Sequence, residues 1–91
     1  MNKTELIAAI AEKAGLTKKD AESALTAMTE AVTEALVNED KVQLIGFGSF
    51  EVKRREAHVG RNPKTGEEIQ IPATKLPVFK PGKALKDQVD Q

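Results

Sequence analysis

Ninety-one residues with no cysteine, tryptophan or tyrosine and only three phenylalanines make one small domain, with neither disulfides nor a thiolate metal site to staple it. Fourteen Lys and Arg balance 14 Asp and Glu, yet residues 1–40 hold four cations against eight anions and residues 41–91 ten against six, so a net −4 half adjoins a net +4 half that attracts polyanions whatever the total. No apolar run approaches bilayer length and the N-terminus opens on a helix signal instead of a charged-then-apolar leader, which predicts a soluble, cytoplasmic protein with no membrane partner.

Asn2 and Glu5 stand at capping-box spacing and start a helix with Leu6, Ile7, Ile10 and Ala14 on one face; Gly15 ends it. Thr17 caps a second, longer helix, with Asp20 at its third position and Leu16 placed to staple onto Ala21. Ala21, Ala24, Leu25, Met28, Ala31, Val32, Ala35 and Leu36 recur at three- and four-residue spacing to about Val37. That stripe reads as packing surface, against the first helix and against a partner's equivalent face. After Asn38-Glu39-Asp40 the period becomes that of a strand, with Val42 and Leu44 on one face and Ile45 and Phe47 close behind. Gly46 and Gly48 bracket Phe47, a pairing that permits a tight left-handed turn and leaves amides open to a phosphate; a plain hairpin turn is the equal alternative. Ser49 to Val52 resumes a strand with Phe50 and Val52 facing the helices.

The next segment, Lys53 to Gly66, is basic and has almost nothing with which to build a core, and between Lys53 and Lys86 nine cations face three anions. Alternation puts Lys53, Arg55 and Arg61 on one parity and Arg54 and His58 on the other, unless a twist or bulge gathers them on one surface. Asn62-Pro63-Lys64-Thr65-Gly66 is a turn: proline pre-sets the second dihedral and glycine permits the return. Glu67 to Pro72 returns as a strand, and Pro72, lacking an N–H, confines it to an edge or an irregular arm. Lys75 to Phe79 re-enters as a third strand, and Pro81-Gly82 introduces a terminal helix with Ala84, Leu85 and Val89 inward and Lys80, Lys83 and Lys86 along another side. The expected organisation is one α+β domain over 1–91: a helical dimerisation base 1–40, sheet at 41–52 and 75–81, a β-arm 53–74 and a C-terminal helix 82–91.

If the ribbon projects from about Lys53 to Thr74, only about seventy residues remain for a core, near the limit for an unstapled single chain. A partner subunit is the expected source of further burial, which predicts an obligate oligomer. Cationic side chains around a proline-tipped ribbon suit a nucleic-acid groove. Proline is a rigid apolar wedge with no amide to leave unsatisfied, and unstacking one step localises a bend that otherwise costs on the order of 1–6 kcal/mol over 20 to 30 base pairs. No helix carries a set of Asn, Gln or Arg forks for major-groove readout, so shape and deformability are expected to outweigh base identity. The expected partner is double-stranded DNA, above all bent, nicked or gapped.

Gly46-Phe47-Gly48-Ser49-Phe50, Gly60-Arg61-Asn62-Pro63 and Phe79-Lys80-Pro81-Gly82-Lys83 stand in an order and spacing that closely resembles the bacterial histone-like HU proteins and their relative, integration host factor, over essentially the whole chain. The resemblance implies a homodimer with an intertwined helical base, a small antiparallel sheet and two protruding β-arms that wrap DNA through its minor groove and compact nucleoid DNA. It implies that Pro63 inserts between base pairs and that Arg55, His58 and Arg61 line the groove or face phosphates. Lys3, Lys80, Lys83 and Lys86 would hold the flanking DNA. Lys53, Arg54, Asn62, Lys64, Lys75 and the Gly46 amide complete the candidate DNA-binding set. Leu6, Leu25, Met28, Val32, Leu36, Leu44, Phe47, Phe50 and Phe79 make the candidate dimer core. His58 departs from the arginine usual in the family, which makes a cationic contact there sensitive to pH.

No cofactor, metal or small-molecule substrate is expected. His58 is a lone histidine, and Glu67 and Glu68 lie on an exposed edge with no nucleophile or burial to tune them. An enzyme is therefore the remote reading. A protein-interaction module with basic arms is a second alternative, and a sequence-specific subunit like integration host factor a third.

Overall fold

The structure, a computed structural model, describes residues 1–91 as α1 (Lys3–Ala14), α2 (Lys18–Val37), β1 (Val42–Leu44), β2 (Gly48–Arg55), β3 (His58–Arg61), β4 (Glu68–Ile71), β5 (Thr74–Pro81) and α3 (Lys83–Val89), an α+β fold. It divides into two compact units, Met1–Glu34 and Ala35–Gln91. No helix is long and apolar enough to cross a membrane.

Both long helices start where their caps predict. The Asn2 side chain accepts from the Glu5 amide at 2.9 Å and the Thr17 hydroxyl from the Asp20 amide at 3.1 Å, each satisfying an N–H that the helix itself leaves unpaired. The first helix stops at Gly15, left-handed at φ 69, which is what glycine does without steric cost. The second stops in the same manner with a different residue: the Glu39 amide donates to the Leu36 carbonyl, the Asp40 amide reaches back to Ala35, and Glu39 itself takes φ 58. A side chain in that conformation costs roughly 1–2 kcal/mol.

In the second unit β1, β2 and β5 form an antiparallel sheet in that order, and β3 and β4 a two-stranded ribbon. Paired residues share a face. Val42↔Phe50, Leu44↔Gly48, Phe50↔Phe79 and Val52↔Pro77 therefore line one apolar face, whereas Ser49↔Lys80, Glu51↔Val78, Lys53↔Leu76 and Arg55↔Thr74 line the other. On the apolar face the Phe79 ring lies 5.5 Å from Phe47 and 4.9 Å from Phe50, both tilted, an arrangement aromatic quadrupoles favour. The Gly46–Gly48 pair divides its roles. Gly46 takes φ 86 in the turn, where the Phe47 amide donates to Leu44, but Gly48 opens β2 because there is no room for a side chain. A Cβ there would meet the Lys80 carbonyl oxygen and the Phe79 ring, each at 2.6 Å. Gly48→Ala is accordingly expected to destabilise the fold by about 1–3 kcal/mol, read as a lowered Tm, because the nearest obstacle is backbone.

Only Ala11, Ala21 and Gly48 are buried, so no side chain larger than a methyl group is fully enclosed by this chain alone. Of the three residues expected inward on α3, Leu85 is half-buried but Ala84 is exposed and Val89 is 78% exposed. The seven residues of α3 thus present one half-buried position to the rest of the chain.

Candidate nucleic-acid interface

The ribbon follows directly from the sheet. The β2–β5 ladder ends at Arg55↔Thr74 and the β3–β4 ladder begins at His58↔Ile71, with Glu56 and Ala57 opposite Pro72 and Ala73 between them. Equal numbers of residues are skipped on each strand, so both ladders keep one register and no bulge is inserted. The interruption coincides with Pro72, which has no N–H to donate.

Beyond it, His58, Gly60, Ile69 and Ile71 share one face and Val59, Arg61, Glu68 and Gln70 the other. Gly60 is filled by its neighbour: a Cβ there would lie 2.6 Å from Ile71 Cδ1. His58 Nδ1 stands 3.2 Å from the Glu56 carbonyl oxygen, which leaves Nε2 for the exterior.

The tip is built on Asn62. Its amide donates to the Glu67 carbonyl at 2.8 Å, its carbonyl accepts from the Gly66 amide at 2.7 Å, and its Oδ1 accepts from the Lys64 amide at 2.9 Å. Gly66 supplies the left-handed residue at φ 75. The amide, carbonyl and Oδ1 of Asn62 are thereby engaged in the turn, and Pro63 and Lys64 are exposed at its outer end.

The expected cations do not form one uniform group. Lys53 and Arg55 lie on the polar face of the sheet and, like Arg61 and Lys64, make no salt bridge. Lys80 shares that face but is held 3.0 Å from Glu51, which also binds Lys41 at 3.0 Å. The Lys80 hydrogen bond, followed by that of Lys41, holds the Glu51 carboxyl below its ordinary value. Arg54 and Lys75 are paired with each other across the opposite, apolar face. Arg54 grips Glu39 through two nitrogens, each 2.6 Å from a carboxylate oxygen, and Lys75 lies 3.8 Å from the same group. The Arg54 hydrogen bonds hold Glu39 below its ordinary value, and Glu39 in turn raises the guanidinium.

Gly46 is exposed in its turn. Lys83 and Lys86 are exposed one turn apart on α3, whose start is tied down by the Gly82 amide donating to Phe47 at 2.8 Å. Lys3, in the first unit, is exposed in the first turn of α1. Sequence reasoning missed Glu39 and Glu51, the carboxylates that engage three of the expected cations, and Lys41, which shares Glu51 with Lys80. Only the folded chain reveals them, since Lys75 lies 36 positions from Glu39 in the sequence.

The family model for bacterial DNA-binding proteins matches residues 1–90. The chain is 66% identical over 89 residues to a DNA-binding protein HU of Geobacillus stearothermophilus, covering 98% of this chain and 99% of that one. It is 63% identical to DNA-binding protein HU 1 of Bacillus subtilis, covering 98% and 97%. Among solved structures, an Anabaena HU chain from a cocrystal with DNA superposes with a TM-score of 0.87 at 54% identity, over 98% of this chain and 97% of that one.

Proposed function

The chain belongs to the HU family of bacterial DNA-binding proteins, a family of DNA binders and not of enzymes, and from that premise we propose that it acts as an architectural dimer that bends duplex DNA with little regard to sequence. The observation that carries the reading is the ribbon itself, a register-continuous extension of the sheet with Lys53, Arg55 and Arg61 along it and Pro63 at its end. Its strands enclose no core, so its side chains are available to a partner, and a polyanion is the partner that their charge selects. Two such arms enter the minor groove, with Arg61 and the His58 Nε2 near phosphates or the groove floor. Pro63 wedges between base pairs, where its missing N–H leaves nothing unsatisfied. Bent, nicked or gapped duplexes are preferred because part of the deformation energy is already spent. The setting is the cytoplasm, on nucleoid DNA, and no cofactor takes part.

Dimerisation is supported by what one chain leaves uncovered. Phe47 is 45% exposed, Met28 43%, Phe79 40% and Leu6 39%, while Leu25, Val32, Leu36 and Phe50 are half-buried. A second copy of the same chain, presenting the same surfaces, is the occupant that closes them.

Arg61→Ala tests the electrostatic part. Each phosphate neutralised contributes about 0.9 to the slope of log K against log salt, so the variant is expected to lose about that much for each arm, equally on unrelated sequences. A loss confined to one sequence would indicate base readout instead.

A further inference from the structure

We infer that Glu39, Arg54 and Lys75 form a brace at the root of the arm, and that Arg54 and Lys75 serve DNA binding by aiming Lys53 and Arg55 instead of touching DNA themselves. This rests on the DNA-binding reading above. The register puts Arg54 directly opposite Lys75, one rung before the last pair of the β2–β5 ladder. Two like charges so placed repel. Glu39 removes the repulsion, giving both oxygens to Arg54 at 2.6 Å and lying 3.8 Å from Lys75. The bidentate grip fixes orientation as well as distance, which a single lysine contact does not.

Glu39 is also anchored in an unusual way. It occupies the left-handed position that ends α2, at φ 58, where glycine is the unstrained choice and α1 uses one. A carboxylate held there on a rigid helix end ties that end to the strand pair from which the arm grows. The side of the ladder matters equally. Arg54 and Lys75 share the face of Phe50 and Phe79, whereas Lys53 and Arg55 point from the other face and make no salt bridge. DNA lying against Lys53 and Arg55 meets the face opposite the braced pair.

The test compares Arg54→Gln, Glu39→Gln, Arg55→Gln and the exchanged pair Glu39→Arg with Arg54→Glu, all in the full chain. Readouts are the salt slope on a gapped duplex, the bend from end-to-end fluorescence transfer, and amide exchange of residues 58–71 without DNA. Arg54→Gln and Glu39→Gln are expected to keep the wild-type slope, weaken binding by less than about tenfold, reduce the bend and speed exchange in the arm. The exchanged pair, which puts a carboxylate at position 54, is expected to recover bend and protection together. A slope lowered by about 0.9 per arm in Arg54→Gln, or an exchanged pair that binds worse than either single variant, overturns the brace. Arg55→Gln separates the two readings: an unchanged slope in that variant counts against DNA lying on the Lys53 and Arg55 face, whereas the exchange data report on the brace without DNA.

Discussion

Phe79→Ala is expected to cost the proposed dimer about 3 kcal/mol, the low end of the range for removing a packed phenylalanine, because the ring is 40% exposed in one chain and packed on its remaining side. Phe79 stands between Phe47 and Phe50 and fills the space over Gly48, so its removal opens a cavity that three neighbours border. The backbone carbonyl of Lys80, 2.6 Å from where a Gly48 Cβ would be, limits how far β2 and β5 can collapse into the gap. A domain this small has few other large side chains over which to spread the loss. Even about 3 kcal/mol shifts the folded-to-unfolded ratio by more than a hundredfold. The measurement is urea unfolding at several protein concentrations. The midpoint is expected to fall sharply and to depend on concentration, because the ring is 40% exposed in one chain and its remaining area is available to the partner. A midpoint independent of concentration would mean that the chain is stable as a monomer, and the dimer would have to be abandoned.

Pro63→Ala is expected to have the largest effect on function while leaving the fold intact. The turn is closed by three hydrogen bonds to Asn62 and by the left-handed Gly66, none of which uses the proline ring. Alanine therefore keeps the tip but removes the rigid apolar wedge. The bend in an intact duplex is expected to drop markedly, while affinity for a gapped duplex, in which no stack has to be opened, changes less. Fluorescence transfer between duplex ends measures the first and titration the second. An unchanged bend would take the wedge out of the mechanism.

Local chemistry was legible in the sequence. Asn2 and Thr17 cap the helices they were expected to cap, Gly15 ends the first, and Val42 shares a face with Leu44 and Phe50 with Val52 as their spacing predicts, the register adding that all four share one face. The tip was legible too, because Asn-Pro-x-x-Gly carries its turn in its own side chains. What escaped depends on contacts between distant segments. Gly48 reads as half of a turn but is required by Phe79, 31 positions away. Arg54, Lys75 and Lys80 read as unengaged cations, and only the folded chain brings Glu39 and Glu51 to them. The Glu39 backbone is the least predictable of these, since nothing local favours a carboxylate in a left-handed position.

The most direct measurement is the bend and affinity of the purified protein on an intact and a gapped duplex of equal length at two salt concentrations, with its mass in solution determined alongside. A dimer that bends both duplexes, binds the gapped one more tightly and loses affinity steeply with salt is the predicted result. A protein that binds the two equally, or leaves the intact duplex straight, would contradict a DNA-bending role and leave the basic arm to a protein partner.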